Sequence, residues 1–208
     1  MRRGESTRKR LLEETTRLAR CQGFSRTSVS TVLRATGLKK GALYHHFPGK
    51  DDLGLAVLNC ERDGFIAFLD DCLDPHTPLV SLGRFFAAVL QKHGASGFVG
   101  GCLWGNTALE MSDSNAPHLG VVKEMFDKWI SKITAVIDAG QKSGEIRADI
   151  PAERLSCMIV ADIEGGIMLS RLMKKEGPLK TCLQSLQFLL AKHEGDDFKT
   201  PDDVVSSQ

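Results

Sequence analysis

The 208-residue sequence lacks the marks of the common enzyme and secreted classes. It contains no Gly-x-Ser-x-Gly, His-Glu-x-x-His, P-loop or dinucleotide fingerprint, so no nucleophile elbow, zinc-protease helix or phosphate cradle is expected, and no enzymatic role. The six cysteines (Cys21, Cys60, Cys72, Cys102, Cys157, Cys182) include no C-x-x-C pair, which argues against a zinc ribbon and against a disulfide framework. Free thiols in a reducing compartment are the expectation. No apolar stretch reaches the roughly 18 uninterrupted residues of a spanning helix, because Asp162 and Glu164 or Gly-Asn pairs cut each one. The charged opening MRRGESTRKR runs into amphipathic LLEETTRLAR instead of an apolar signal core, which predicts a cytoplasmic protein. Alternating β-branched runs and an Asn-Gly hairpin are missing as well.

Net charge is also nearly absent, at +1, but its distribution is uneven. Residues 1 to 50 hold twelve Lys/Arg against three Asp/Glu, and the remaining 158 hold fifteen against twenty-three. One end suits a polyanion and the other does not. A basic face that only keeps the protein soluble would give the same count.

Apolar periodicity reads as helix almost throughout, so the fold class is all-α. Leu11, Leu12, Leu18 and Ala19 mark a first helix over about 6–22, stopped by Gly23. Thr27 and Ser28 offer N-cap chemistry to a short helix carrying Val29, Val32, Leu33 and Ala35, which Gly37 ends. A second short helix over about 39–47 turns Leu43 and Phe47 inward before the Pro48-Gly49 break. Two short helices joined by a glycine turn and packed on a longer one form a helix-turn-helix unit.

The stretch GFSRTSVSTVLRATGLKKGALYHHFPGKDDL resembles the DNA-binding signature of the TetR/AcrR family of transcriptional regulators. The match covers residues 8 to 57 at Gly23, Phe24, Thr27, Val29, Val32, Ala35, Gly37, Gly41, Leu43, Tyr44, His46, Phe47, Lys50 and Leu53. The resemblance implies an all-α homodimer that binds a double-stranded DNA operator. It also implies a C-terminal domain that senses a small molecule and dimerises. The expected division is a reading head over 1–50, a helical sensing and dimerisation domain over 51–193, and a disordered tail over 194–208.

In a helix-turn-helix the N-terminal residues of the second helix meet base edges. Lys39 and Lys40 sit there, able to donate to guanine or to phosphate, and Gly41 and Ala42 are small enough for close approach. Thr27 and Ser28 would offer hydroxyls and helix-terminal N–H groups to phosphate. Carried over from the family, Tyr44 and His46 would bond phosphates, His45 would touch a base edge or the backbone, and Lys50 would clamp phosphate. His45 and His46 are adjacent on a helix, about 100° apart, and do not chelate a metal together. No metal and no cofactor are expected.

Further helices are expected over about 51–73, 78–93, 102–112, 119–142, 151–175 and 179–193, with the Gly-rich residues 94–101 as a loop. The stripe Leu179, Cys182, Leu183, Leu186, Leu189 and Leu190 has a/d-type spacing and, with Gly165 and Gly166 in the helix before it, suggests a dimer interface through the last two helices. Cys102 follows two glycines at a helix start, where the positive dipole end favours thiolate. The Gly-Cys-Leu there resembles a TetR subgroup that includes an electrophile-sensing repressor. Arg171 stands where that sensor has a lysine, and could stabilise a thiolate without forming the same covalent bond. A ligand cavity could draw on Phe65, Phe68, Phe85, Phe86, Trp104, Met111, Trp129, Met158 and Met168, with Asn106, Glu110 and Glu164 to orient the ligand.

The expected function is therefore a dimeric, sequence-specific repressor released by an effector or by modification of Cys102. A non-specific architectural DNA-binding protein, and a helical small-molecule-binding protein or enzyme, are the alternatives.

Overall fold

The computed structural model describes residues 3–113 and 118–191. The tail expected to be disordered, 194–208, lies outside the described residues. Helices make up the described fold, with one isolated antiparallel bridge between Ile146 and Ala191.

The first three helices are α1 (Arg3–Gln22), α2 (Val29–Thr36) and α3 (Lys40–Tyr44). Gly23 takes φ +84 and donates its N–H to the Ala19 carbonyl at 2.9 Å, closing α1 in a left-handed turn open to glycine at no steric cost. Ser28 caps α2, its hydroxyl accepting from the Thr31 N–H at 3.2 Å. The third helix is shorter than the sequence suggests. It has five residues, because the chain turns at His45 and Pro48 disfavours helical geometry at Phe47. Leu11, Val32, Leu43 and Phe47 bury together to form the head's core.

The linker helix α4 (Lys50–Cys72) starts with Asp51 and Asp52 in its first turn, where carboxylates favour the dipole. It leads into α5 (Pro78–Ala95), α6 (Leu103–Met111), α7 (Leu119–Ser143), α8 (Ala152–Met173) and α9 (Gly177–Leu190). Phe85, Met125, Trp129, Ile133, Ile159 and Ile163 fill the centre of this body. Among the described residues, no helix is long and apolar enough to cross a membrane.

The expected partner-facing stripe is corrected by the packing. Leu179, Leu183, Leu186 and Leu190 are buried within the chain, against α8, while Leu189 stays 43% exposed. Gly166 serves that intrachain contact: a Cβ there would meet the Leu179 Cα at 3.2 Å and the Cys182 Sγ at 3.2 Å, whereas Gly165 faces open space. The apolar residues that do reach the surface lie beside the stripe, at Met168, Leu169, Leu172, Met173 and Phe188.

Gly166→Val should force α8 and α9 apart and cost about 1–3 kcal/mol. A thermal melt reads this as a lowered Tm, and an unchanged Tm would remove the close approach as a constraint.

Candidate functional site

The exposed side of α3 gathers most of the residues expected to meet DNA. Leu43 is its buried residue and anchors it on α1. Lys39 is the N-cap and Lys40 the first helical residue, both exposed, and the Lys40 Nζ lies 5.6 Å from the centre of the Tyr44 ring. Gly41 is exposed with open space where a Cβ would stand, and Ala42 is half-buried. Tyr44 is 44% exposed. His45 is exposed and His46 half-buried, with ring centres 5.0 Å apart and edge to face.

Two of the expected contacts sit to one side. Lys50 is exposed at the start of α4 and donates from Nζ to the Ser25 carbonyl at 3.2 Å, bracing the loop between α1 and α2. Ser28 is half-buried, its hydroxyl shared with Ser30 and Thr31 at 2.8 and 2.9 Å. Thr27 is a correction: it is buried, and its hydroxyl donates to the Gly23 carbonyl at 2.7 Å, so it shapes the turn and offers no surface group.

Of the residues expected to orient an effector, Asn106 and Glu164 line the larger of the two cavities beside Cys102, as does Arg171, while Glu110 lines neither; Asn106, Glu110 and Arg171 also form a joint between head and body. Glu110, on α6, accepts from the Phe24 N–H at 2.8 Å and the Ser25 N–H at 2.6 Å. Partial burial pushes its carboxyl up, but the Ser25 side chain and N–H, the Phe24 N–H and the Lys50 charge together hold it below its usual value. Asn106, one turn earlier, donates from Nδ2 to the Arg20 carbonyl at 3.2 Å and the Gly100 carbonyl at 2.7 Å. Arg171 from α8 donates to Asn106 Oδ1 at 2.9 Å and to the Cys21 carbonyl at 3.1 Å. The two glycines before Cys102 make room for this: a Cβ on Gly100 would lie 3.3 Å from the Arg20 Cβ, and one on Gly101 3.1 Å from the Arg171 Cδ. Both have positive φ, at +83 and +67.

Cys102 itself overturns the thiolate expectation. It is the buried N-cap of α6, and burial together with the Glu164 carboxyl raises its pKa well above the usual thiol value. Hydrogen bonds from the Gly105 and Trp104 backbone act the other way and are outweighed. Glu164, pushed up by burial, lies against Gly105, where a Cβ would overlap its Oε2. Arg171 points its guanidinium at Asn106 and Cys21 rather than supplying a counter-charge to the thiol.

Cys102 also stands between two cavities. One, about 240 Å³, is walled by Arg20, Glu61, Phe65, Phe68, Lys92, His93, Trp104 and Trp129. The other, about 440 Å³, is largely apolar and lies against Gly105, Phe126, Ile130, Glu164 and Met168. Of the residues expected to line a cavity, Phe85 and Phe86 are plain core and Met158 is on the surface. Arg20, Glu61, Lys92 and His93 were not singled out in the sequence, since nothing local marks charged residues that meet across three helices.

The class of protein follows from these features together with its relatives: this is a helix-turn-helix, DNA-binding transcriptional regulator. It belongs to the TetR family, with residues 11–57 matching the bacterial regulatory proteins of that family and residues 78–186 matching the tetracyclin repressor-like C-terminal domain. It is 27% identical over 181 residues to the HTH-type transcriptional repressor DhaR of Mycobacterium sp. (strain GP1), covering 85% of this chain and 88% of that protein. A TetR transcriptional regulator from Chloroflexus aurantiacus J-10-FL superposes with a TM-score of 0.81 at 31% identity, over 90% of this chain and 96% of that one. Reduced E. coli NemR shares the fold, with a TM-score of 0.78 at 19% identity over 89% of this chain and 98% of that one.

Because the Glu110 carboxyl is held below the ordinary glutamate value of about 4.5, its contribution to stability is present above about that pH and is lost as the pH falls through the lowered value. Glu110→Gln should therefore melt earlier than the parent at neutral pH, by about 1 kcal/mol after allowance for solvent screening. The gap should close in acid. Equal melting at pH 7 would remove Glu110 as a tie between the two parts.

Proposed function

We propose that the chain is a dimeric, cytoplasmic repressor that reads an operator with residues 1–50 and leaves it when a small molecule occupies the body formed by residues 51–193. The observation that carries this reading is the double duty of α6. Its first turn supplies Cys102 and Trp104 to the cavity wall, and its later turns hold Asn106 and Glu110 on the end of α1 and the α1–α2 loop. A helix displaced by an occupant moves both contacts with it. That the relative DhaR is named a repressor supports the direction of regulation.

In this reading Lys39 and Lys40 face base edges, with Gly41 and Ala42 allowing close approach. Tyr44, His45, His46, Ser28 and Lys50 hold phosphates and backbone. Two heads about 34–36 Å apart would meet successive major grooves. The exposed Leu169, Leu172 and Met173 of α8 and Phe188 and Leu189 of α9 supply the apolar surface for pairing. A coupling of about 3 kcal/mol between cavity and head would change occupancy of the operator about 150-fold.

Modification of Cys102 is a second route to release, similar to the electrophile-sensing subgroup. It is supported by the position of the thiol on both cavities, so that an adduct would occupy the same space as a ligand. Burial of a neutral thiol makes that route slow.

Tyr44→Phe and Lys50→Ala should weaken binding to selected and random DNA alike, and Lys50→Ala should reduce the salt slope of binding by about one. Lys40→Ala should instead broaden the sites recovered from a randomised-sequence selection. Gel shifts at two salt concentrations and that selection test these roles; unchanged affinity and unchanged preference would end the assignment of α3 to the groove.

A further inference from the structure

We propose that the smaller cavity takes a compact organic monocarboxylate with a flat aromatic or conjugated body. This rests on the effector-release reading above and names the class of effector. The walls supply the flat part. Phe65 and Trp129 meet edge to face with centres 5.1 Å apart, Phe68 lies 5.9 Å from Phe65, and Trp104 is buried alongside. At about 240 Å³ the space equals that of about eight waters, enough for an acid of benzoate or cinnamate size.

The polar part is set by what the cavity leaves unmatched. Trp129 is buried, and among the described residues its Nε1–H has no acceptor; the Nε–H of Arg20 is likewise buried and unpartnered. A buried donor left unpaired costs about 1–3 kcal/mol, and both donors belong to residues that line this cavity, while the buried acceptor Glu164 Oε1, behind Cys102, is also without a partner among the described residues.

Charge then separates an acid from an amide. The charged and titratable groups around the cavity are Arg20 of α1, Cys60 and Glu61 of α4, Lys92 and His93 of α5, Cys102 at the start of α6, and Glu164 of α8 behind Cys102. Glu61 reaches Arg20 only at 3.7 Å. The Lys92 ammonium has no ion pair among the described residues and rests over the Phe68 and Phe65 rings, 5.1 and 5.7 Å from their centres. Desolvation and then the Arg20 charge push Lys92 down, and burial followed by Arg20 and Lys92 pushes His93 down to about 4. His93 is thus neutral at pH 7, the Cys102 thiol is neutral, and burial drives Glu164 toward its neutral form. Two cations face one carboxylate, and the site has room for one more negative charge.

The same geometry connects that charge to the head. Arg20 lies in the last turn of α1, and its carbonyl is held by Asn106. A carboxylate between Lys92 and Arg20 competes with Glu61 for the guanidinium and so pulls directly on the helix that carries α2 and α3.

The protein has two tryptophans, and both line this cavity, so their fluorescence reports its occupancy. The full chain is titrated with benzoate and cinnamate, with benzamide as the neutral match and benzylamine as the cationic one. Operator release is followed in parallel by gel shift. The acids should quench at concentrations at least tenfold below benzamide and benzylamine. Lys92→Met should abolish that preference, and Lys92→Arg should keep it while circular dichroism shows both variants folded.

Equal binding of benzamide or benzylamine, a preference that survives in Lys92→Met, or no quenching by either acid at millimolar concentration would overturn the proposal. A neutral analogue that binds best and releases DNA would overturn the ligand class and leave effector release standing. Acids that bind with the predicted preference yet leave the operator complex intact would support the ligand class and overturn release.

Discussion

The joint between the reading head and the body centres on one carboxylate. Glu110 accepts two main-chain N–H groups, from Phe24 and Ser25, that the turn after α1 leaves without helical partners. Backbone donors aimed at an ionised acceptor make stronger bonds than neutral pairs do, and they fix position as well as distance. Gly23 is what allows the approach. With φ +84 it ends α1, and a Cβ there would stand 2.7 Å from the Glu110 Oε2, so the missing side chain serves the turn and the joint together. Asn106, Arg171 and the Gly100-Gly101 pair then lock the same end of α1 from α6 and α8. The contacts at this end of α1 are polar and directional, and they add to the packing of α1 on α4 and α6.

The legibility of the fold follows sequence distance. The α1–α2–α3 unit could be read because its determinants are local: the Gly23 turn, the Ser28 cap, the Gly37 stop and the Pro48 break each act within a few residues. Even there, Thr27 and Ser28 are indistinguishable as hydroxyl residues before a helix, and only the fold decides that Thr27 turns inward to Gly23 while Ser28 takes the cap. Glu110 reaches residues 85 and 86 positions away, and Arg171 reaches one 150 positions away. A lone Glu between Leu109 and Met111 carries no trace of such partners, and so its polarity among apolar neighbours resembled a ligand contact.

The α9 stripe and Cys102 show two further limits. A stripe of leucines at helical spacing states that a face is buried but not against what. Here α8 of the same chain fills the need, and Leu189 of the stripe stays exposed. For Cys102 the helix start was correctly located, and the dipole argument holds for a thiol that water can reach. Inside the protein the comparison changes. The dipole contributes on the order of 0.3–1 kcal/mol near a surface and up to about 2 kcal/mol in favourable partly buried settings, whereas removing an anion's hydration costs several kcal/mol per ion. With a carboxyl at Glu164 added, desolvation wins.

That outcome bears on how the body can sense anything. Burial keeps the Cys102 thiol neutral and pushes the Glu164 carboxyl up, and on the α1 and α5 side of the cavity Arg20 and Lys92 face the single carboxylate of Glu61. Arg20 is the point where this matters, because it belongs to the head by chain position and to the cavity by contact. Its side chain is shared between Glu61 and the cavity, while its main chain is held by Asn106. An occupant that redirects the guanidinium therefore works against the joint at the residue where head, linker helix and α6 meet. The wall of this cavity includes the end of the helix on which the reading helices are packed.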